Sequence, residues 1–205
     1  MKVIGLAGGS GTGKSTIAAH LVARGAGHID ADRAAHDVLL EDEGVIRAIR
    51  ERFGDGVFTG GLVDRGKLGR IVFVDRGALE ALNAIVHPAV LEVCRRKLEE
   101  LETAGVALAV VDAALLLEVG VPFDIDLVIA LRASRDDQVR RLLAKGGATR
   151  SEIEDRLDSQ SHLERSYGAA DVVVDTAKPL ALVLAEVDRA VDALLAGDSS
   201  ERSGG

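Results

Sequence analysis

The fold is decided by residues 3–16, which read Val3-Ile4-Gly5-Leu6-Ala7-Gly8-Gly9-Ser10-Gly11-Thr12-Gly13-Lys14-Ser15-Thr16. An apolar run typical of a buried strand leads into a loop of the form G-x-x-x-x-G-K-[ST], and residues 17–23 continue as a helix-forming sequence. Backbone N–H groups in such a loop can curl around an anionic phosphate, toward which the following helix directs its positive N-terminal end. Because the motif stands between a strand and a helix, it predicts a P-loop that binds a nucleoside triphosphate.

The residues of this loop have separate predicted tasks. Lys14 is expected to reach the β- and γ-phosphates, and the Ser15 hydroxyl is expected to complete the coordination of a bridging Mg²⁺ ion. The residues expected to hold the nucleotide are Gly9, Gly11, Thr12, Gly13, Lys14, Ser15 and Thr16.

Length and composition limit the class of protein. A chain of 205 residues can bury one good core with insertions, and its net charge of −8 opposes a broad electrostatic contact with nucleic acid. The single cysteine, Cys94, cannot form an internal disulfide, and no apolar stretch reaches the roughly 18 uncharged residues of a membrane span. The N-terminus lacks the pattern of a signal peptide. We therefore expect a cytoplasmic protein with a small-molecule substrate, no nucleic acid or membrane partner, and an oligomeric state that the sequence leaves open.

Five apolar runs alternate with helical patterns along the chain. This alternation predicts an α/β fold of the P-loop type, in which a parallel five-stranded sheet carries helices on both faces. The ligand is expected at the carboxyl ends of the strands. The five runs are Val3 to Ala7, residues 28–30, Val106 to Val111, Asp126 to Leu131 and Asp171 to Val174.

Two insertions interrupt the alternation. Residues 33–103 are far too long for an ordinary crossover connection, so they are predicted to form a helical subdomain that binds the acceptor. Residues 134–160 contain two short helices, with capping-box sequences at Ser134 and Thr149, and are predicted to form a mobile lid. The other predicted segments are the nucleotide-binding core of residues 1–32, 104–133 and 161–196, and a disordered polar tail of residues 197–205.

Three classes of P-loop protein compete: a GTPase switch, an ATPase that transfers the phosphoryl group to water, and a kinase. The Asn-Lys-x-Asp element that reads guanine is missing, because the only asparagine of the chain, Asn83, has different neighbours. An ATPase usually places a glutamate after the strand-end aspartate, yet Asp112 is followed by Ala113. A kinase needs an acceptor site, a carboxylate beside the acceptor hydroxyl, and cations that close over the phosphates. The kinase class is therefore favoured.

The carboxylate is expected in the pair Asp30 and Asp32, at the end of the second predicted strand. In-line transfer requires a carboxylate that accepts or orients the proton of the attacking hydroxyl. Asp32 is the candidate for this role. The alternative is that an aspartate here caps the following helix, and for Asp30 a structural or metal-positioning role is favoured.

The closing cations are expected in residues 134–160. Arg141 is the best candidate, since a planar guanidinium matches phosphate oxygens, whereas Arg140 is better explained as a solvated surface charge. Lys145 and Arg156 lie in the same segment. His87 stands directly before Pro88 inside a helical pattern, where proline should end or kink the helix and orient the histidine.

Further motifs follow the P-loop in a specific order. They are Ile29-Asp30-Ala31-Asp32-Arg33-Ala34-Ala35-His36, Phe53-Gly54, Gly61-Leu62-Val63-Asp64-Arg65, Val72-Phe73, Leu82-Asn83-Ala84-Ile85-Val86-His87-Pro88, Leu115-Leu116-Leu117-Glu118, Gln138-Val139-Arg140-Arg141-Leu142, Ser159-Gln160 and Ala170-Asp171-Val172-Val173-Val174. In order and spacing the chain resembles the dephospho-coenzyme A kinases over about residues 1 to 190. The first and fifth motifs are much more specific than the P-loop, which many kinases share.

The resemblance implies that ATP, with Mg²⁺, phosphorylates the ribose 3′-hydroxyl of dephospho-coenzyme A to give coenzyme A and ADP. It implies that Asp32 activates this hydroxyl and that Arg141 is the lid arginine. The residues it brings near the acceptor are Asp32, Arg65, His87, Leu115 and Glu118, although Leu115 could equally pack in the core. A nucleoside or nucleotide kinase, which shares the architecture, is the alternative.

Three positions depart from the family pattern. Ala114 stands where a proline often precedes the two leucines, and Lys145 replaces a frequent arginine, which exchanges a bidentate phosphate contact for a point charge. Asp175 stands where an asparagine commonly follows the last strand. Because an aspartate cannot donate an amide hydrogen bond, a contact of this side chain with adenine is in doubt.

Overall fold

The computed structural model describes residues 1–72, 74–113, 124–161, 163 and 167–201, except for the side chains of 198–201. The chain divides into two compact units, one formed by Met1–Ile29 with Leu98–Gly205 and the other by Asp30–Lys97. The second unit begins and ends within a few residues of the predicted acceptor-binding subdomain. Residues 134–160, predicted as a lid, belong to the first unit.

The first unit is built on a five-stranded sheet. Its strands are β1 (Lys2–Ala7), β2 (Gly27–Asp30), β5 (Leu108–Asp112), β6 (Leu127–Arg132) and β7 (Val172–Asp175), with β3 and β4 lying elsewhere in the chain. The order across the sheet is β2-β5-β1-β6-β7, and β1 pairs in parallel with both β5 and β6, as β6 does with β7. All five strands coincide with predicted apolar runs to within two residues, which confirms the parallel sheet.

Helices cover this sheet because its side chains alternate between two apolar faces. The helices of the first unit are α1 (Lys14–Ala23), α6 (Arg135–Lys145), α7 (Arg150–Ser159) and α8 (Leu180–Glu201). On one face, Ile4 and Leu6 of β1 share a core with Leu21 of α1 and Val187 of α8. On the other face, Ala7 packs in a separate cluster with Ala130, Leu163 and Tyr167. These two cores fix the carboxyl end of β1, where the glycine-rich loop begins.

The helices α6 and α7 begin where the sequence predicts. The Ser134 hydroxyl accepts a hydrogen bond from the Asp137 N–H, and Thr149 forms a complete capping box with Glu152. Val139 of α6 and Ile153 and Leu157 of α7 form a small core of their own. The two helices are therefore a packed pair.

The second unit is mostly helical, as predicted. Its elements are α2 (Ala31–Glu41), α3 (Glu43–Phe53), a 3₁₀ turn (Asp55–Val57), the antiparallel pair β3 (Phe58–Thr59) and β4 (Leu62–Val63), α4 (Arg65–Val72) and α5 (Arg76–Thr103), of which residues 98–103 belong to the first unit. The expectation that Pro88 ends its helix is wrong, because α5 continues for fifteen residues beyond it. Val86, Val90, Cys94 and Leu98, spaced by four residues, are all buried along this helix. Their burial offsets the one backbone hydrogen bond that proline removes.

The C-terminal helix and the apolar helix α5 bear on two further expectations. The helix α8 extends to Glu201, so the backbone of residues 197–201 is helical where a disordered tail was expected, and residues 202–205 lie outside the described residues. Among the described helices, α5 is long and apolar enough, by length and composition, to cross a membrane. Core helices of globular proteins pass the same test, and α5 carries His87 and Pro88 in its middle, so this is weak evidence for a span.

Candidate active site

The P-loop lies where the sequence predicts, between the end of β1 and the start of α1. Gly13 adopts a left-handed conformation with φ 104° and directs the chain into the helix. In the described part of the chain, the N–H groups of Gly11, Gly13, Lys14 and Ser15 have no hydrogen-bond acceptor. A cavity of about 470 Å³ opens here, lined by Gly9, Ser10, Gly11, Gly13, Lys14, Ser15, Thr16, Arg141, Leu142, Lys145 and Arg156. Backbone donors and four cations thus surround a space that suits a polyphosphate.

Gly11 is required by both backbone conformation and space. Its φ is +76°, and a Cβ at this position would lie 2.9 Å from the backbone oxygen of Gln138 in α6. No side chain avoids that contact by rotation, because both atoms belong to rigid backbone. The close approach of α6 to the loop therefore depends on this glycine.

We expect Gly11→Ala to lower the free energy of unfolding by about 2–4 kcal/mol, because it combines left-handed strain with a steric clash. Gly25→Ala is the matched control: Gly25 has φ +95° but nothing within 4 Å of its Cβ position. The control should lose only about 1–2 kcal/mol from strain alone. Chemical denaturation of both variants measures the difference, and equal losses would mean that the contact with α6 is unimportant.

Lys14 is held in place by two oxygens of the first unit. Its Nζ donates to the Gly8 carbonyl oxygen at 2.8 Å and lies 3.9 Å from Asp112 Oδ1. Asp112 is buried at the carboxyl end of β5, and its partner in the parallel ladder is Leu6 of β1. The Lys14 ammonium is therefore fixed at the mouth of the loop.

Asp112 is a functional candidate that was not predicted from the sequence, where it served only to exclude an ATPase through its neighbour Ala113. The sequence signal that could have identified it was a carboxylate at the end of an apolar strand, the position at which α/β sheets bind ligands.

The hydroxyl of Ser15 and the carboxylate of Asp112 are hard oxygen donors, and Mg²⁺ is usually bound by one or two such groups together with phosphate oxygens and water. No cluster of three His, Cys, Asp or Glu side chains suited to a metal occurs in the described ranges. This sparse donor set fits Mg²⁺ carried by a nucleotide.

Arg141 joins the lid segment to the loop. Its Nη1 donates to the Gly11 carbonyl oxygen at 3.1 Å and to Thr176 Oγ1 at 2.9 Å, while its Nη2 donates to the Thr176 carbonyl oxygen at 2.6 Å. Lys145 and Arg156 are exposed and line the same cavity. In this conformation the guanidinium of Arg141 is a bridge between three loop oxygens at the edge of the phosphate cavity.

Other charges of α6 and α7 form surface ion pairs, as expected for solvated residues. Arg140 pairs with Asp137, and the hydrogen bond with the Ser134 hydroxyl, followed by the contact with Arg140, holds the pKa of the Asp137 carboxyl below its usual value. Arg135 lies 2.7 Å from Asp158. Exposed pairs of this kind contribute little to stability.

Asp30 and Asp32 have different positions at the start of α2. Asp30 is the N-cap, and its Oδ1 accepts a hydrogen bond from the Arg33 N–H at 2.8 Å, which confirms a structural role. Asp32 lies in the first turn of α2 and is exposed. His36 follows Asp32 by four residues, so the two side chains share a helix face.

His36 was quoted only as part of a motif, yet it connects two predicted site residues. Arg65, the first residue of α4, donates from Nη1 to His36 Nδ1 at 3.0 Å. Because a guanidinium can only donate, Nδ1 must be the acceptor and the ring proton must sit on Nε2. Within the second unit the structure thus links Arg65 through His36 to the helix face that carries Asp32.

The remaining predicted residues have separate outcomes. His87 is half-buried on α5, and burial lowers the pKa of its imidazole, so the ring is neutral at pH 7. Asp175 uses its Oδ1 to accept from the Ala177 N–H at 3.0 Å, in a turn after β7. Leu115 and Glu118, together with the departure at Ala114, lie outside the described residues.

Comparisons with known proteins agree with this geometry. A family model described as dephospho-CoA kinase matches residues 2–181. Dephospho-CoA kinases of Geobacter sulfurreducens and Leifsonia xyli are 40% and 42% identical, covering 85% and 96% of this chain and 89% and 98% of the relatives. A crystal structure from Thermus thermophilus has a TM-score of 0.75 at 32% identity and covers 96% of this chain and 97% of its own. A dephospho-CoA kinase structure from Campylobacter jejuni, at 23% identity and TM-score 0.65, covers 97% of this chain and 100% of its own and shares the fold.

Proposed function

The chain belongs to the dephospho-CoA kinase family, and we propose that the P-loop, Asp32 and Arg141 divide the work of its reaction. The chain is a kinase that uses ATP to phosphorylate dephospho-coenzyme A, the last step of coenzyme A synthesis. The transferred group passes from the γ-phosphate of ATP to the ribose 3′-hydroxyl. A cytoplasmic location, where both substrates are soluble, is part of the proposal.

The donor site is the cavity of the P-loop. The N–H groups of Gly11, Gly13, Lys14 and Ser15 bind phosphate oxygens, and the Lys14 ammonium balances the charge that develops on the migrating phosphoryl group. The support is the set of loop N–H groups without an acceptor in the described part of the chain, together with the two contacts that fix Lys14 beside Gly8 and Asp112. Ser15 and Asp112 would hold Mg²⁺, which supplies charge neutralisation between the β- and γ-phosphates when bound.

The acceptor is activated by Asp32. The exposed carboxylate at the start of α2 accepts or orients the proton of the attacking hydroxyl, while Asp30 holds the helix start as its cap. Arg65, with its guanidinium positioned by His36, contributes positive charge to the same substrate, and the neutral His87 can offer a hydrogen bond but not a cation. Leu115 and Glu118 remain candidates for acceptor contacts.

The observation that carries the proposal is the cavity itself, where a glycine-rich loop meets Lys14, Arg141, Lys145 and Arg156. A coupled ADP-release assay with dephospho-coenzyme A, beside a panel of nucleosides and nucleoside monophosphates, tests it. We expect Mg²⁺-dependent turnover of ATP with dephospho-coenzyme A and with none of the other acceptors in the panel. Turnover confined to a nucleoside or nucleotide would contradict the proposal, because these share the fold but need a different acceptor pocket.

We expect Arg141→Lys to lower kcat by about tenfold or more while changing the KM for dephospho-coenzyme A only a few-fold. The reason is geometric. The planar guanidinium of Arg141 donates hydrogen bonds to three oxygens of Gly11 and Thr176 at the edge of the phosphate cavity, and a lysine ammonium cannot reproduce that arrangement. Steady-state kinetics with each substrate varied in turn measure both constants.

Lys145→Ala serves as the comparison, since Lys145 lines the same cavity from the end of α6. A smaller loss is expected, because an exposed ammonium is a point charge that cannot form a bidentate contact. Wild-type behaviour of Arg141→Lys together with a crippled Lys145→Ala would reverse the roles of the two cations.

A further inference from the structure

Two glutamines hold the residue at the centre of the P-loop. Gln160 Oε1 accepts a hydrogen bond from the Ser10 N–H at 2.8 Å, and Gln138 Nε2 donates to the Ser10 carbonyl oxygen at 3.0 Å. Gln138 lies on α6, and Gln160 is the C-cap residue of α7. The two contacts therefore come from different helices and meet at one residue of the loop.

The direction of each hydrogen bond is fixed by the backbone. A Ser10 N–H can only donate, so Gln160 must present its oxygen, and a Ser10 carbonyl can only accept, so Gln138 must present its nitrogen. The N–H belongs to the peptide group before the Ser10 Cα, and the carbonyl belongs to the one after it. Fixing both peptide groups fixes φ and ψ of Ser10.

We call the two hydrogen bonds from Gln138 and Gln160 to Ser10 the clamp, and the bond from Gln138 is one of several that side chains donate to the loop. Four consecutive carbonyl oxygens each accept a hydrogen bond from a side chain: those of Gly8, Gly9, Ser10 and Gly11 bind Lys14 Nζ, Thr12 Oγ1, Gln138 Nε2 and Arg141 Nη1, respectively. In a trans peptide the C=O and the N–H point in opposite directions. Gln138, by holding the Ser10 carbonyl, turns the Gly11 N–H away from α6.

We propose that Gln138 and Gln160 are positioning residues that preorganise the P-loop, and that through them the helix pair of α6 and α7 sets the affinity for the donor nucleotide. The proposal rests on the P-loop being the donor site. Both glutamines act through the backbone of Ser10, and Gln138 also acts through the direction of the Gly11 N–H. Preorganisation lowers the cost of ordering the loop when the phosphates bind.

The matched variants Gln138→Glu and Gln160→Glu test this directly. Each adds one negative charge beside the same residue and keeps the length of the side chain. The carboxylate at position 160 still accepts from the Ser10 N–H, whereas the one at position 138 cannot donate and faces a carbonyl oxygen. We expect Gln138→Glu to bind Mg²⁺-ADP about tenfold more weakly than Gln160→Glu, as measured by calorimetry.

Three controls separate the possible outcomes. Thermal unfolding of the unliganded variants should agree within a few degrees, and their KM for dephospho-coenzyme A should stay within about twofold of wild type while the KM for ATP differs. The uncharged variants Gln138→Met and Gln160→Met each lose one hydrogen bond and should each bind ADP several-fold more weakly. Failure of the wild type to bind ADP would overturn the donor site itself. Normal wild-type binding, with equal ADP affinity in the two glutamate variants or wild-type affinity in both methionine variants, would overturn the clamp alone.

Discussion

Lys14→Ala should lower turnover by at least about 10²-fold at saturating ATP and dephospho-coenzyme A, since it removes a positioned charge from the transition state. The Lys14 ammonium is already fixed in the structure by the Gly8 carbonyl oxygen at 2.8 Å and by Asp112 at 3.9 Å. No reorganisation is then needed when negative charge develops on the migrating phosphoryl group, which is why such a group contributes more than a mobile surface lysine.

Lys2→Ala is the matched control, because Lys2 is the first residue of β1, at the end of that strand away from the P-loop, and pairs with Asp126 at 3.0 Å. It removes the same charge from the chain and should keep near-normal turnover. Single-turnover measurements of both variants separate the chemical step from nucleotide binding. Wild-type turnover of Lys14→Ala at saturating ATP would contradict the role assigned to this residue.

The sheet and the loop could be predicted because their signals are local. Short apolar runs of three to six residues separated by helical patterns identify parallel strands, and the glycines of residues 8–13 admit one kind of turn before Lys14. The starts of α6 and α7 were equally local, since Ser134 and Thr149 bond to the N–H three residues ahead. Each of these features depends on neighbours within a few positions of the chain.

The features that sequence reasoning missed depend on distant residues. Ser10 is separated by 128 positions from Gln138 and by 150 from Gln160, and Arg141 meets Gly11 across 130. No periodicity or capping pattern encodes such contacts, so a charge count found Arg141 but could not tell that Gly11 and Thr176 hold it. Gln138 and Gln160 stood in two of the motifs, but a neutral amide gave no indication that either would contact Ser10.

Tertiary packing also overrode one part of a local rule, the ending of a helix at proline. Proline lacks an N–H and clashes with the preceding turn, which led to the expectation that the helix containing His87 ends or kinks at Pro88. The continuous α5 shows that the buried stripe of Val86, Val90, Cys94 and Leu98 outweighs that cost. The same burial raises the pKa of the Cys94 thiol, in keeping with its role as a packed hydrophobic residue.

The neighbouring aspartates Asp30 and Asp32 allow a matched pair of substitutions that tests which of them is catalytic. Asp30 accepts the Arg33 N–H as a helix cap, so Asp30→Asn keeps a good capping residue and should leave turnover near wild type. Asp32, in the first turn of α2, has the exposed carboxylate proposed to act on the acceptor hydroxyl. The two substitutions are chemically identical and two residues apart.

We expect Asp32→Asn to reduce kcat by at least about 10²-fold while the affinity for dephospho-coenzyme A changes only a few-fold. The amide keeps the size of the side chain but removes the negative charge that accepts or orients the proton, and a loose phosphoryl-transfer transition state sets the loss toward the lower end of general-base effects. Equilibrium binding of dephospho-coenzyme A and steady-state turnover, measured on both variants, separate recognition from transfer. Near-normal turnover of Asp32→Asn, with Asp30→Asn inactive although folded and unchanged in its response to Mg²⁺, would assign the catalytic carboxylate to Asp30 instead.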